Sequence, residues 1–237
     1  MHVSAHTDVG QQKQTNEDAV VTVEFNDVSL LAVADGMGGH AAGDVASEEA
    51  TSELKGYISA ALTDGRTDYE VILEEAIKSA NERVRERAEA DASRSGMGTT
   101  VVAAIVEDGQ VVIGNVGDSR AYDVDDALTQ ITVDHSFVQE LISEGEITPE
   151  EATTHPQRHV LTQALGTEGE VEPDFFSPAV MDYLLLCSDG LTEEVPEETI
   201  CEVIHDAPDI EIATDELVQK ANENGGSDNI SVILADV

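Results

Sequence analysis

The chain has 237 residues, of which 41% are hydrophobic and only 3% aromatic, so its core must be built from Val, Ile, Leu and Ala. Lys and Arg number 11 against 50 Asp and Glu, and the formal net charge of −39 excludes a surface that binds nucleic acid or anionic membranes at ordinary salt. Such self-repulsion destabilises a compact fold unless salt screens it, which favours a cytosol with molar salt over an ordinary one.

The N-terminus and the cysteines indicate an intracellular setting. MHVSAHTDVGQQ has neither a basic flank nor an apolar core, so no secretory signal is predicted. No run approaches the roughly 18 apolar residues of a membrane span. Two cysteines, Cys187 and Cys201, do not make a disulfide framework. We therefore expect a soluble, cytoplasmic protein with a single domain over residues 1–237.

Short runs rich in Val, Ile and Leu predict β-strands along the chain. Asn-Asp and Asp-Gly stand between two such runs in EFNDVSL and VEDGQVV, which is hairpin chemistry, so most strands should pair antiparallel. The predicted strands are 19–25, 29–34, 99–106, 110–116, 119–124, 182–188 and 229–236.

Helices are predicted between these strands. The clearest covers 69–90, where apolar residues recur at helical spacing with Glu and Arg on the opposite face. Residues 42–60 and 211–223 show the same pattern less strongly, and NENGG after the second supplies a glycine C-cap. Shorter helices are predicted at 136–144 and 197–205. Hairpins with inserted helices favour an α+β sandwich over alternating βαβ units.

Acidic residues border the predicted strands. Taken singly, each is best explained as a cap or a solvated turn residue. Several that converge on one mouth of a sheet would repel each other strongly unless divalent cations lie between them. Oxygen ligands suit magnesium or manganese, and zinc is disfavoured because no His/Cys cluster has its ligand spacing. The acidic residues concerned are Glu17, Asp18, Asp35, Asp118, Asp189 and Asp228.

The stretch DGMGGH at 35–40 combines one of these carboxylates with three glycines. A glycine directly after Asp35 lets the backbone turn sharply and lets the Gly36 carbonyl face an ion. A glycine loop that cradles phosphate is the alternative. It is disfavoured because no Lys follows and the preceding Asp would repel bare phosphate.

Eight ordered sequence blocks resemble the metal-dependent protein phosphatases of the protein phosphatase 2C type (PPM family), in their bacterial single-domain form. The resemblance runs nearly end to end and is far more specific than one short motif. The blocks are DVG…NEDAV at 8–20, VADGMGGHAAGDVAS at 33–47, GMGTTVV at 96–102, GNVGDSRAY at 114–122, TVDHSFV at 132–138, HVLTQALG at 159–166, LLLCSDGLTE at 184–193 and GGSDNISV at 225–232.

The resemblance implies a four-layer αββα sandwich with two mainly antiparallel sheets, flanking helices and a flap over about 145–165. It also implies a binuclear metal centre at one end of the sandwich. By motif position, Asp35 would bridge two ions. Glu17 and the Gly36 carbonyl would complete one ion, and Asp189 and Asp228 would hold the other.

Further roles follow from the same resemblance. Asp118, with Asp189, matches a weaker third metal site of bacterial members. Asp18 would bond a water on a metal, and Asn229 lies beside the ligands. The cofactors would be two divalent cations, Mn or Mg, with this third site in addition.

The activity implied by the resemblance is hydrolysis of phosphoserine and phosphothreonine on proteins. Two divalent ions a few Å apart would clamp the phosphoryl oxygens and activate a bridging water for in-line attack on phosphorus, with no covalent enzyme intermediate. The partners would be phosphoproteins, targets of a Ser/Thr kinase, with no nucleic acid and no membrane. A standalone catalytic domain suggests a monomer.

The sequence departs from the family pattern at two positions. Lys13 stands where members usually carry an Arg that grips the substrate phosphate, and a Lys is a point charge rather than a bidentate fork. The alternative for Lys13 is a solvated surface residue. Met37 stands where eukaryotic relatives have the His proposed as general acid. His40 is a candidate substitute, and a metal-bound water is the alternative proton donor.

Two other functions are compatible with the sequence. A regulatory module that kept the fold and lost its metals would lack carboxylates, whereas every expected one is present here. A hydrolase of small phosphoesters would act on phosphate metabolites. Release of phosphate from a phosphopeptide, but not from such metabolites, separates it from a protein phosphatase.

Overall fold

The computed structural model describes residues 1–38, 42–179 and 182–237. Eleven strands lie in this part of the chain: β1 His2–Asp8, β2 Asp18–Phe25, β3 Val28–Met37, β4 Gly98–Thr99, β5 Val101–Glu107, β6 Gln110–Val116, β7 Arg120–Val124, β8 Leu128–Gln130, β9 Asp174–Phe176, β10 Tyr183–Cys187 and β11 Ile230–Asp236. The helices are α1 Gly43–Thr63, α2 Tyr69–Ala90, α3 Phe137–Ser143, α4 Pro149–Ala152, α5 Asp189–Thr192, α6 Glu197–Asp206 and α7 Ile210–Asn224. A 3₁₀ turn covers Ala92–Arg94.

The strands form two sheets in which every neighbouring pair is antiparallel. The first sheet has the order β1-β11-β10-β7-β8. The second has the order β2-β3-β5-β6-β9, and β4 pairs with β3 beside this path. β1 and β11 pair along their full length, from His2 opposite Asp236 to Asp8 opposite Ile230. The N-terminal segment therefore lies directly beside the last strand.

Three apolar clusters define four layers. The inner faces of the two sheets meet through residues such as Leu31, Val102 and Ile233, all fully buried. Helices α1 and α2 cover the outer face of the second sheet. Helices α6 and α7 cover the outer face of the first sheet, where Leu217 is fully buried. The predicted αββα sandwich is confirmed, and its core consists mainly of aliphatic side chains as the composition requires.

Both predicted hairpin turns are present. Asn26 has φ +56°, and Asp108 and Gly109 have φ +47° and +75°. Two successive residues with positive φ form the turn type that matches the twist of paired strands, and Asp-Gly is favoured there. This turn joins β5 to β6, and the resulting register fixes which residues of the second sheet face the first.

The strand that contains Asp35 is longer than the sequence pattern indicates. The apolar run ends at residue 34, but β3 continues to Met37 because Gly36 and Met37 pair with Thr99 and Gly98 of β4. Asp18 is likewise the first residue of β2 and pairs opposite Asp35. Placing both carboxylates outside strands was therefore wrong. They belong to the end of a regular sheet, where the ladder restricts their positions.

Other differences from prediction concern short or polar elements. The predicted strand 99–106 is interrupted at Thr100, whose backbone N–H donates to the Asp35 carbonyl at 2.9 Å. The edge strands β1, β8 and β9 and the small helices α4 and α5 are not apparent from hydrophobic periodicity. Within the residues that the structure describes, there is no helix both long and apolar enough to cross a membrane.

Candidate metal centre

The predicted carboxylates meet at one end of the sandwich. A cavity of about 610 Å³ is lined by five of them and by Lys13. Glu17 lies in the loop before β2, Asp35 on β3, Asp118 in the β6–β7 turn, Asp189 at the start of α5 and Asp228 in the loop before β11. Three further segments that are distant in sequence thus join the Glu17 loop and β3 at a single pocket.

The Asp35 main chain is fixed by its neighbours on the second sheet. Its N–H donates to Thr100 Oγ1 at 3.0 Å, and its carbonyl accepts from Thr99 Oγ1 at 2.9 Å. Gly36 N–H donates to the Glu17 carbonyl at 3.1 Å. A Cβ on Gly36 would lie only 2.2 Å from the Gly43 carbonyl oxygen, so only glycine fits here. This close packing brings the Glu17 loop and the start of α1 against β3.

Asn229 ties three loops of the site together. Its side-chain oxygen accepts from Glu17 N–H at 2.8 Å. Its side-chain nitrogen donates to the carbonyls of Val9 and Thr15 at 2.9 and 3.1 Å. The side chain is almost fully buried. Asn229 therefore holds Glu17 and the neighbouring Asp228 in fixed relation.

Asp18 lies behind the cavity rather than in its lining. It is buried, and its Oδ2 accepts from Ser188 Oγ at 2.8 Å. Ser188 precedes Asp189 and also accepts from Ser231 N–H at 3.0 Å. Asp18 thus supports the segment that carries Asp189.

The carboxylates raise one another's pKa. Burial first, and then the charges of Asp18, Asp189 and Asp118, raise the pKa of Asp35 well above its ordinary value. Burial and the charge of Asp189 raise the pKa of Asp118 to about 8. Burial also raises the pKa of Asp18 to about 7 and outweighs its hydrogen bonds to two serines. The pKa of Asp189 is raised by burial and by Asp228. Without added positive charge, this arrangement is unfavourable.

The site fits hard divalent cations. Asp18 Oδ1 and Asp189 Oδ1 are buried and have no hydrogen-bond partner among the described residues, although buried carboxylate oxygens normally have one. Every carboxylate at the cavity offers oxygen, the donor that Mg²⁺ and Mn²⁺ prefer. Cations between the carboxylates would satisfy the orphaned Asp189 oxygen and offset the mutual repulsion. The residues present are therefore suited to a binuclear centre.

Lys13 is the cation that lies among these acids. Its Nζ is 2.5 Å from Asp228 Oδ1. The Lys13 side chain is 40% exposed and the Asp228 side chain is 35% exposed. Burial lowers the pKa of Lys13, but the contact with Asp228 and the charges of Asp35 and Glu17 outweigh it, so its pKa is raised. Lys13 is therefore charged and lines the cavity, which argues against an unattached surface side chain.

The predicted flap segment, 145–165, contributes part of the cavity lining. Phe137 N–H donates to the Val160 carbonyl at 2.8 Å, and Leu165 N–H donates to the Thr99 carbonyl at 2.8 Å. His159 lines the cavity and lies 3.1 Å from Glu193, measured from Nδ1 to Oε1. His159, Asp189 and Glu193 thereby form a small cluster of ligand-type atoms. His40, the candidate general acid, lies outside the described residues.

The sequence patterns did not identify Glu193 as part of the site, nor the contacts by which His135 links Gly117 to Asp174. Glu193 follows Asp189 by four residues, a helical spacing that could have indicated a shared face. His135 is buried, accepts from Gly117 N–H at 3.2 Å and contacts Asp174 at 3.1 Å through Nε2. It therefore holds the turn that carries Asp118. No local pattern reveals this contact, because Gly117 and Asp174 are far from His135 in sequence.

Comparisons with known proteins agree with this geometry. A family model described as Protein phosphatase 2C matches residues 7–235. Serine/threonine phosphatase stp of Listeria innocua is 44% identical over 243 residues, which cover 100% of this chain and 96% of that protein.

Solved structures are similar over the whole fold. Serine/threonine phosphatase Stp1 from Staphylococcus aureus superimposes with a TM-score of 0.91 at 43% identity, covering 99% of this chain and 94% of that one. The catalytic domain of serine threonine protein phosphatase PstP, in complex with two manganese ions, gives a TM-score of 0.85 at 37% identity, covering 99% and 97%.

Proposed function

Because this chain belongs to the protein phosphatase 2C family, we propose that its acidic cavity is the site where it hydrolyses phosphoserine and phosphothreonine on proteins. It is a metal-dependent serine/threonine phosphatase, a hydrolase that uses two divalent cations and acts on phosphoproteins. The observation that carries the assignment of the site is the meeting of five carboxylates and Lys13 in one cavity.

We assign the metal ligands to the side chains that line this cavity. Asp35 would bridge two cations, with Glu17 and the Gly36 carbonyl on one and Asp189 and Asp228 on the other. Support comes from the unpartnered Asp189 oxygen and from the short links among the segments that carry these residues. When bound, the cations would supply positive charge to the phosphoryl oxygens and lower the pKa of a coordinated water.

The remaining roles concern protein groups around this centre. Asp118, with Asp189, would contribute a third, weaker cation site. Asp18 would position Asp189 through Ser188 and hold a proton near the reacting water. Lys13 would orient the phosphate by a single charged hydrogen bond. His40 stays a candidate proton donor for the leaving oxygen, and His159, which lines the cavity, is a candidate substrate contact.

The function is tested by phosphopeptide hydrolysis in concentrated KCl with and without manganese. We expect phosphate release only with the metal, and little release from small phosphate metabolites. A protein that binds manganese but releases no phosphate from any phosphopeptide would be a regulatory module instead. Preferential release from metabolites would identify a small-phosphoester hydrolase.

Replacing Lys13 with Ala should weaken substrate binding and leave metal binding intact. Loss of one charged hydrogen bond to phosphate should raise KM about tenfold, with a smaller effect on kcat. Steady-state kinetics with a phosphopeptide and calorimetric titration with Mn²⁺ measure the two effects. Lys13→Arg is the matched control and should restore binding. Kinetics of Lys13→Ala that equal the parent's would reject the role.

We further propose one catalytic domain over residues 1–237, with 145–165 as a flap above the site. The cellular assignment is a cytoplasmic, monomeric signalling enzyme that opposes a Ser/Thr kinase and engages neither nucleic acid nor membrane. Support comes from the charge of −39, which repels polyanions.

We also propose a halophilic cytosol, because 50 acidic residues face only 11 Lys and Arg. Screening lengths fall from about 10 Å at 0.1 M salt to about 3 Å at 1 M. The free energy of unfolding, measured by urea titration in EDTA, should therefore rise markedly with KCl concentration. Full stability in dilute buffer without divalent ions would contradict a halophilic origin.

A further inference from the structure

We infer that a groove beside the catalytic cavity binds the substrate segment next to the phosphoresidue and selects a basic side chain there. This inference rests on the proposed function and names the substrate class of that same site. The groove has a volume of about 800 Å³. Asp118 and Asp189 line both the groove and the catalytic cavity, so the two spaces adjoin at the proposed metal centre.

The two walls of the groove differ in chemistry. The wall from α3 and α4 is largely apolar and includes Val138, Ile142 and Ala152. The opposite wall, at α5 and the start of α6, carries Glu193, Glu194 and Glu197. An apolar wall facing an acidic one suits a peptide that carries a Lys or Arg, since its aliphatic stem packs on one side while its charge meets the other.

The positive charges in the groove do not balance these glutamates. Arg120 is held by Asp134 in a bidentate pair with distances of 2.6 to 3.1 Å, so this pair is neutral overall. Arg158 lines the groove and forms no ion pair within the described part of the chain, so it adds a single positive charge. Three glutamates against one Arg leave the groove acidic.

The glutamates also differ in how far they are already engaged. Glu194 accepts from Ser227 N–H and Oγ, and Glu193 contacts His159 at 3.1 Å. Among the described residues, Glu197 accepts only a long hydrogen bond of 3.3 Å from the Tyr122 hydroxyl, and it is exposed. Glu197 therefore has acceptor capacity left for an incoming cation. Its position at the first turn of α6 keeps it outside the proposed metal centre.

The neighbouring Glu198 provides a matched control. It occupies the same first turn of α6 and is also exposed, but it does not line the groove. Glu197→Lys and Glu198→Lys change the net charge equally. In about 1 M KCl, where screening acts within about 3 Å, only a contact pair should survive. A difference in substrate preference between the two variants therefore reports on the groove and not on the net charge of the protein.

The experiment compares two phosphopeptides that differ only in flanking Lys/Arg versus flanking Gln, with manganese in about 1 M KCl. The parent should prefer the basic peptide by about fivefold in kcat/KM. Glu197→Lys should lose or reverse this preference, while Glu198→Lys retains it. Hydrolysis of p-nitrophenyl phosphate should be equal in all three proteins, which shows that the centre is intact.

Other outcomes separate this inference from the proposed function. Failure of the parent to hydrolyse any phosphopeptide would overturn the function itself. Hydrolysis by the parent with no basic preference would overturn only the groove. An equal loss of preference in Glu197→Lys and Glu198→Lys would also overturn it, since general surface charge would then explain the effect. Circular dichroism of each variant confirms folding before the comparison.

Discussion

Replacing Asp35 with Asn should abolish phosphatase activity and at the same time make the metal-free protein more stable. Asp35 contacts the cavity from the end of β3, and its pKa is raised by burial and by four neighbouring carboxylates. The neutral amide removes one of these mutually repelling charges without changing the shape of the side chain. The backbone hydrogen bonds with Thr99 and Thr100 remain.

The loss of activity should be large because Asp35, as the proposed bridging ligand, would position both cations. Metal charge stabilises the transition state by several kcal/mol, so kcat/KM for a phosphopeptide should fall by about 10³-fold or more. Manganese affinity should fall as well, as calorimetric titration would show. Urea unfolding in EDTA near pH 8 should give a free energy of unfolding that is higher by on the order of 1 kcal/mol or more.

Asp126→Asn is the control for this prediction, since Asp126 is exposed and does not line the cavity. It makes the same chemical change and should leave activity within a factor of about two. Retention of more than a tenth of the parent's activity by Asp35→Asn would be incompatible with a bridging role. Lower metal-free stability would show that the acid cluster is not repulsive.

The metal-free protein should lose stability as the pH rises from about 5 to 8. The pKa values of Asp18 and Asp118 are raised from 3.8 to about 7 and about 8 in the folded protein. The folded state therefore binds more protons than the unfolded state across this window, and the free energy of unfolding falls with pH. The change should be on the order of several kcal/mol, since each pKa unit corresponds to about 1.4 kcal/mol.

Saturating manganese should abolish or reverse this trend, because the cations bind the deprotonated carboxylates. Urea unfolding at fixed KCl, with either EDTA or manganese, measures both slopes. Asp118→Asn should flatten the EDTA slope, whereas Asp126→Asn should not. Equal slopes of the free energy of unfolding against pH in EDTA and in manganese would contradict this prediction. Repulsion among all the charges of the protein, and not the raised pKa values, would then govern its stability.

Long periodic elements were predictable from the sequence. Residues 69–90 form α2 as predicted because they bury a single regular face, and 110–116 form β6 as predicted because they are a short apolar run buried on both faces. The Asp-Gly turn at 108–109 was predictable from the positive φ that it requires. The six carboxylates were identifiable by their place beside apolar runs, and the family resemblance named their roles. That these carboxylates meet in one cavity could not be predicted without knowing how the strands of both sheets pair.

Features that depend on distant contacts were not predictable. The extension of β3 through Asp35 to Met37 follows from pairing with the two-residue β4, which the sequence pattern does not separate from the predicted strand 99–106. The interruption at Thr100 arises from its hydrogen bonds to Asp35. His159 of segment 145–165 contacts Glu193, which directly follows α5, through a link between parts of the chain that are distant in sequence. Hydrophobic patterns report burial, but they do not say which polar groups meet.

The tie made by Asn229 has a consequence for synthesis of the protein on the ribosome. Glu17 N–H and Asn229 Oδ1 are joined across 212 positions of sequence, and β1 has no partner in its sheet other than β11, in the part of the chain described. A nascent chain whose β11 has not yet left the ribosome therefore lacks Asp228, the hydrogen bond that supports Glu17, and the strand that pairs with β1. Such contacts form late and slowly. Phosphatase activity should therefore arise only after β11 has left the ribosome, so a shorter nascent chain cannot dephosphorylate other proteins.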